Sequence, residues 1–126
     1  MKKIRVLISA YEAAPFYKKG GLGDIIGSLP IALRKLEIDA RIVIPYYHIV
    51  KRQFPQKKIG EMLLRFGQET RQVNMYQGVF PGTEVPIYFL ENQKYFTLIQ
   101  AKVKRIEEFA FFALAVCYFT SWLSQQ

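Results

Sequence analysis

A chain of 126 residues allows one domain, and 51% hydrophobic with 15% aromatic content is enough for a sizeable core, which excludes a disordered tail. Lys and Arg number 18 against 10 Asp and Glu, a formal charge of +8 that would suit an anionic partner. The basic residues fall in short clusters (Lys2-Lys3, Lys18-Lys19, Lys51-Arg52, Lys57-Lys58 and Lys102 to Arg105) without zinc ligands or an RNP-type aromatic pattern, so a solvated basic face is expected and no nucleic acid.

Lys2-Lys3 ahead of an apolar stretch has the start of a signal peptide, but Glu12 interrupts before any small-residue cleavage site. Ile4, Val6, Leu7, Ile8 and Ala10 read instead as a first strand, nearly continuous in apolar character and expected to be central and covered on both faces. Three glycines, Gly20, Gly21 and Gly23, mark a turn into a helix from about Gly21 to Leu36. Its stripe of Ile25, Ile26, Leu29, Leu33 and Leu36 should lie on the sheet, with a kink near Pro30. Asp39 to Pro45 reads as the second strand, completing a right-handed β-α-β unit whose binding crevice belongs at the strands' carboxyl edge.

Residues Tyr46 to Lys58 lack clean periodicity and read as a loop with one helical turn around His48 to Gln53. Glu61 to Phe66 and Thr70 to Gln77 flank Gly67-Gln68-Glu69 as a hairpin excursion, and Val85 to Leu90 returns as a third parallel strand. Ile106 to Ser124 reads as a helix apolar nearly all round, which asks for burial; its unbroken apolar stretch, Phe109 to Phe119, is short of the about twenty residues a bilayer needs, so no membrane anchor is expected. Where its partner surface is incomplete, the aromatic Phe109 to Trp122 face would favour self-association, with Phe112→Asp as the disrupting substitution. The single Cys117 gives no disulfide framework and fits a reducing cytoplasm. The expected fold is α/β, a Rossmann-like α/β/α arrangement on a parallel sheet with a β-hairpin excursion.

The glycine turn is not a P-loop, because Asp24 and Ile25 follow Gly23 where Lys and Ser or Thr are needed. Nor is it a dinucleotide fingerprint: Gly21, Gly23 and Gly27 are spaced one residue too far, and no ribose-binding acid ends the second strand. Tyr11-Glu12-Ala13-Ala14-Pro15-Phe16 leading into Lys18-x-Gly20-Gly21-Leu22-Gly23-Asp24, then Gly27, Leu29 and Pro30, resembles bacterial glycogen and starch synthases. Looser similarity continues through Ala32-Leu33, Ala40 to Tyr46, Val85 to Leu90, Glu91-Asn92 and Tyr95-Phe96.

This resemblance implies the front portion, residues 1–126, of the first of two Rossmann-like domains in a retaining glycosyltransferase that moves glucose from ADP-glucose or UDP-glucose to the non-reducing end of an α-1,4-glucan. The nucleotide pocket would lie in the second domain, so no turnover by this chain alone is expected, no catalytic residue is assigned, and neither a metal nor a cofactor is called for. By the same resemblance Lys18, Gly20 and Gly21 contact the donor phosphates, and Asp24 and Glu12 contact the transferring sugar and the acceptor. Each has a plainer reading beside it: a solvated lysine, a tight turn, a carboxylate complementing the helix macrodipole, an ordinary loop acid. Lys19 sits at the variable position. His48 has no triad or metal partner at meaningful spacing, and Tyr11, Tyr46 and Tyr47 could stack on glucose rings or simply pack. The chain departs from the family at Thr97-Leu98, where Asp-Arg is usual, and at Arg105 and Glu108, where Asn and Arg usually precede the last helix. A rival reading is a non-catalytic assembly module that retains the turn as scaffold and dimerises through the last helix.

Overall fold

The computed structural model describes residues 3–97 and 105–126. Its elements are β1 (Arg5–Ser9), α1 (Gly21–Lys35), β2 (Asp39–Pro45), α2 (His48–Gln53), β3 (Lys57–Phe66), β4 (Glu69–Val79), β5 (Pro86–Glu91) and α3 (Arg105–Ser124). The strands form one five-stranded sheet in the order β1-β2-β5-β4-β3. β1, β2 and β5 run parallel, in a register that sets Ile8 beside Ile42 and Ile42 beside Ile87.

Two features of the sheet differ from the sequence expectation. The sheet is mixed, and the hairpin belongs to it: β4 pairs antiparallel with β5 from Asn74↔Glu91 to Val79↔Pro86, and β3 pairs along β4. The reason is the short connection after β4, closed by Phe80 N–H donating to the Val85 carbonyl, because a tight turn can only deliver an antiparallel neighbour. β1 is an edge strand of the described sheet, with Val6, Leu7 and Ile8 half-buried and no residue fully so.

Alternation along the strands sends side chains to two covered faces. On one, Phe16 packs edge-on to Phe54, Phe80 and Phe89; on the other, Tyr88 meets Phe119 of α3 with centroids 4.9 Å apart. Ile42, Val43, Ile44, Ile87, Phe89 and Leu90 are wholly enclosed between these layers. An ionic cluster ties α2 to the sheet: Lys51 Nζ donates to Glu91 Oε2 at 2.6 Å, while Tyr76 Oη and Asn74 Nδ2 donate to Glu91 Oε1, each at 3.0 Å. Burial pushes the Glu91 carboxyl up, but the hydrogen bonds from Lys51, Asn74 and Tyr76 outweigh it and leave it below its ordinary value.

The helices need correction too. Of the expected α1 stripe only Ile26 is buried, joined by Gly23 and Pro30. Ile25, Leu29 and Leu36 are exposed, because α1 reaches the sheet mainly at β2, along one narrow face. The helix continues through Pro30 as one element and ends in a Schellman arrangement, with Ile38 N–H donating to Leu33 O and Glu37 at φ 62°.

α3 is long and apolar enough to cross a membrane by length and composition alone, which the shorter apolar run did not suggest. Yet its Phe111, Phe112, Ala115 and Phe119 pack into the common core. Phe112 is therefore core, against Tyr11 and Phe96, and Phe112→Asp would unfold the chain rather than report on an outer face. The outward residues are Ile106, Phe109 and Tyr118.

Candidate functional site

The carboxyl ends of β1, β2 and β5 lie along one edge of the sheet, where a parallel arrangement places its ligands. A cavity of 660 Å³ opens elsewhere, under the carboxyl end of α3, lined by residues that include Arg5, Asp39, Arg41, Tyr88 and Trp122. Arg5 and Asp39 begin their strands, so this cavity sits at the opposite edge.

At the carboxyl edge the segment after β1 is built from an apolar anchor and a polar rim. Ala13 and Phe16 are buried, and Ala13 and Tyr17 exchange backbone hydrogen bonds at 2.9 and 3.0 Å, folding residues 13–17 back on themselves. Ala14 N–H then donates to Gly23 O at 2.9 Å, tying the loop to the first turn of α1. With the apolar residues pinned inward, Lys18, Lys19, Gly20 and Gly21 are all exposed.

The glycines divide into two kinds. A Cβ at Gly27 would lie 2.6 Å from the Ala14 carbonyl oxygen, and one at Gly23 would lie 3.0 Å from Lys18 Cγ and 3.2 Å from Glu12 Oε1. Those two are glycine because the loop leaves no room. Around Gly20 and Gly21 a Cβ would meet nothing within 4 Å, and Gly20 at φ −163° is in extended backbone open to any residue. Neither packing nor conformation demands glycine there, so the backbone at Gly20 and Gly21 is open to close approach from outside.

That approach would meet favourable chemistry. No side chain caps α1; Gly23 N–H donates to Gly20 O at 3.2 Å, and the N–H groups of the exposed Gly21 and Leu22 precede it with the positive end of the macrodipole behind them. Lys18 stands beside them, its Nζ 2.9 Å from Asp24 Oδ2, and both side chains are about half exposed. An exposed pair of this kind contributes about 0–1 kcal/mol, so an incoming phosphate can draw the ammonium away at little cost and free the carboxylate for hydroxyl groups. Glu12 Oε1 accepts from Lys19 N–H at 2.7 Å and Gly20 N–H at 3.0 Å. The Lys19 bond, with Gly20 and Gly23 adding to it, holds the Glu12 carboxyl below its usual range. The Gly20 N–H is thus engaged internally and its carbonyl accepts from Gly23 N–H at 3.2 Å, leaving its α-carbon face open.

The other sequence candidates lie apart from this rim or inside the fold. Tyr46 and Tyr47 are buried, which settles their reading as packing, while Tyr11 is half-buried between Phe109 and Phe112. His48 is exposed at the start of α2, and among the described residues no group of acids, histidine and cysteine is placed to hold a metal. Sequence reasoning missed a tyrosine and carboxylate cluster beside the rim: Tyr47 Oη donates to Glu108 Oε1 at 3.2 Å, and Tyr17 packs on Tyr47 at 5.0 Å. Burial, then the nearby Glu108 charge, pushes the Tyr11 hydroxyl up to about 12. Glu108 and Tyr47 are 61 residues apart, and no periodic pattern signals such a pair. Of the departing positions, Arg105 stacks over the Phe109 ring and Leu98 lies outside the described residues.

The profile of the starch synthase catalytic domain matches residues 5–125. The chain belongs to that family. It is 39% identical over 118 residues to the glycogen synthase of Lactiplantibacillus plantarum, covering 90% of this chain and 24% of the relative. The glycogen synthase of Natranaerobius thermophilus is 36% identical over 118 residues, again 90% of this chain but 23% of its own length. In structure the chain is similar to the catalytic domain of Starch Synthase IV from Arabidopsis thaliana bound to ADP and acarbose, with a TM-score of 0.70 and 25% identity, covering 91% of this chain and 24% of that one. The chain therefore spans about a quarter of the length of these starch and glycogen synthases.

Proposed function

We propose that this chain supplies the donor-facing portion of a retaining glucosyltransferase that moves glucose from ADP-glucose, with UDP-glucose as the alternative donor, to the non-reducing end of an α-1,4-glucan in the cytoplasm. The observation that carries the reading is the unexplained openness at Gly20 and Gly21 beside Lys18 and an uncapped helix start. Lys18 would leave Asp24 to meet the diphosphate, and Gly20 and Gly21 would let the donor lie against the backbone. Asp24 would then accept sugar hydroxyls, with the second oxygen of Glu12 turned to the acceptor side. The likeness to glycogen synthases, and the ADP and acarbose bound to the plant enzyme, support donor and acceptor classes of this kind. Spanning a quarter of those relatives, the chain is expected to show no transfer by itself: radiolabelled glucose incorporation into glycogen should equal the no-protein control.

The residue-level test replaces the front of the Lactiplantibacillus plantarum synthase with residues 5–125 and compares Lys18→Ala with Lys19→Ala. Loss of a hydrogen bond to a charged phosphate costs about 1.5–3 kcal/mol, so Lys18→Ala should lower kcat/KM by tens-fold or more while Lys19→Ala does almost nothing. Equal small effects at both would make Lys18 a solvated surface charge.

A second reading, an assembly module, rests on the exposed Ile106, Phe109 and Tyr118 of α3. It requires a concentration-dependent dimer in light scattering that Tyr118→Asp dissociates; a monomer at all concentrations removes it.

A further inference from the structure

We propose that Glu12 is a positioning residue for the donor loop: by accepting two backbone N–H groups on one carboxylate oxygen, it fixes the shape in which Lys18, Gly20 and Gly21 are presented to a diphosphate. The inference rests on the donor reading above and adds to it the part that keeps the loop in place.

Glu12 reaches across seven residues to Lys19 N–H and eight to Gly20 N–H, closing the whole loop between β1 and α1 into a ring. Both groups precede the helix and have no intrahelical acceptor, so without the carboxylate these two N–H groups would be left to solvent. The same oxygen occupies the space that Gly23 leaves by lacking a side chain, 3.2 Å from where a Cβ would stand. Lys18 is pressed into that niche as well, its Cγ and Cα 3.0 and 3.2 Å from the same point. The lysine stem is thus located by the contact that seats the glutamate, and only its terminal ammonium is left to move between Asp24 and a ligand. Charge matters as well as shape. An ionised carboxylate accepting two amides forms charge-assisted bonds roughly twice as strong as those a neutral acceptor gives.

This makes Glu12 a group that acts through its neighbours whether or not its remaining oxygen also touches an acceptor sugar. It also explains why the sequence pairs Glu12 with Gly23: each residue is the condition for the other's fit.

The test uses the 126-residue chain labelled with ¹⁵N, with inorganic pyrophosphate as the probe. In the wild type the Lys19 and Gly20 amide signals should move together as pH falls, with a common midpoint below that of an ordinary glutamate. Pyrophosphate should perturb the signals of Lys18 to Gly21. Glu12→Ala should abolish the shared titration and weaken pyrophosphate binding by about tenfold or more, with the rest of the spectrum in place. Glu12→Gln, which keeps an acceptor oxygen without the charge, should recover part of the affinity and none of the titration. A residue that merely supported the fold would lower thermal stability and leave the affinity of the folded chain unchanged. The proposal is overturned if the two amides fail to titrate together in the wild type, a measurement that needs no variant to fold. It is equally overturned if Glu12→Ala binds pyrophosphate as tightly as wild type or tighter, since Glu12 would then compete for the loop amides. If the wild-type amides titrate as expected but pyrophosphate perturbs none of them, the donor reading is what falls, and Glu12 is only an anchor of the turn.

Discussion

Gly21→Ala separates a glycine kept for a ligand from one kept for the fold, because the two predict opposite signs. Gly21 opens α1, its φ lies outside the left-handed region, and an added Cβ would meet nothing within 4 Å. Alanine at such a site restricts the unfolded chain without straining the folded one, which stabilises by about 0.4–1 kcal/mol. For a domain of this size that is a rise in Tm of roughly 2–5 °C, read by circular dichroism on the chain itself. In the synthase chimera the same methyl would stand where the donor must lie against the backbone. Losing one charge-assisted contact of about 1.5–3 kcal/mol should lower kcat/KM by roughly tenfold to a hundredfold. A variant that is more stable and less active is thus expected. A fall in Tm would mean that Gly21 has an internal role, and the inference from open space would be refuted.

Gly27→Ala should have the opposite effect on stability: its Cβ would lie 2.6 Å from the Ala14 carbonyl oxygen, and overpacking of about 1–3 kcal/mol exceeds the helix-propensity gain of about 1 kcal/mol, so Tm should drop. Glu37→Gly should stabilise by roughly 1 kcal/mol, since Glu37 holds φ 62° at the end of α1 where only glycine is unstrained; an unchanged urea midpoint would count against this. Glu12, Asp39 and Glu91 all sit below their ordinary values in the fold, Asp39 chiefly through its hydrogen bond from Arg41. Depressed carboxyls stabilise above the unfolded range of about 4 and lose that contribution as pH falls through their folded values, so the urea midpoint should be level from neutral to mild acid and drop below about pH 4–5. Glu91→Gln should lower the neutral-pH midpoint, by removing the counter-charge of Lys51 and leaving it the Tyr76 hydroxyl, and shallow the acid decline.

Much of this architecture was legible from local pattern. The strands, the hairpin around Gly67 at φ 64°, and the turn into α1 each carry their signal in adjacent residues. What the pattern could not carry was neighbour choice. The apolar run of β1 specifies a buried strand but not which partners bury it, and the Phe80–Val85 turn decides the direction of β4 through one backbone bond. The α1 stripe failed for a similar reason: helical spacing names a face, but the narrow contact with β2 selects Ile26 and Pro30 and leaves Ile25 and Leu29 outside. At the site the motif named residues that the fold gathers at one loop, without their connections. The bonds from Lys19 and Gly20 to Glu12 run through backbone amides, which are the same for every residue type and leave no trace in sequence.

The edge position of β1 bears on how the isolated polypeptide will behave in the tube. Five residues of backbone hydrogen-bonding groups run along that edge with the half-buried Val6, Leu7 and Ile8, and the exposed Ile4 extends the apolar border. Natural sheets blunt such borders with bulges, prolines or inward-pointing charges. Here Arg5 alone supplies charge within the strand. Concentrated solutions should therefore lose material to cross-β precipitation nucleated at β1, following a lag and accelerated by seeds, and Leu7→Lys should lengthen that lag more than an equal charge placed on α2.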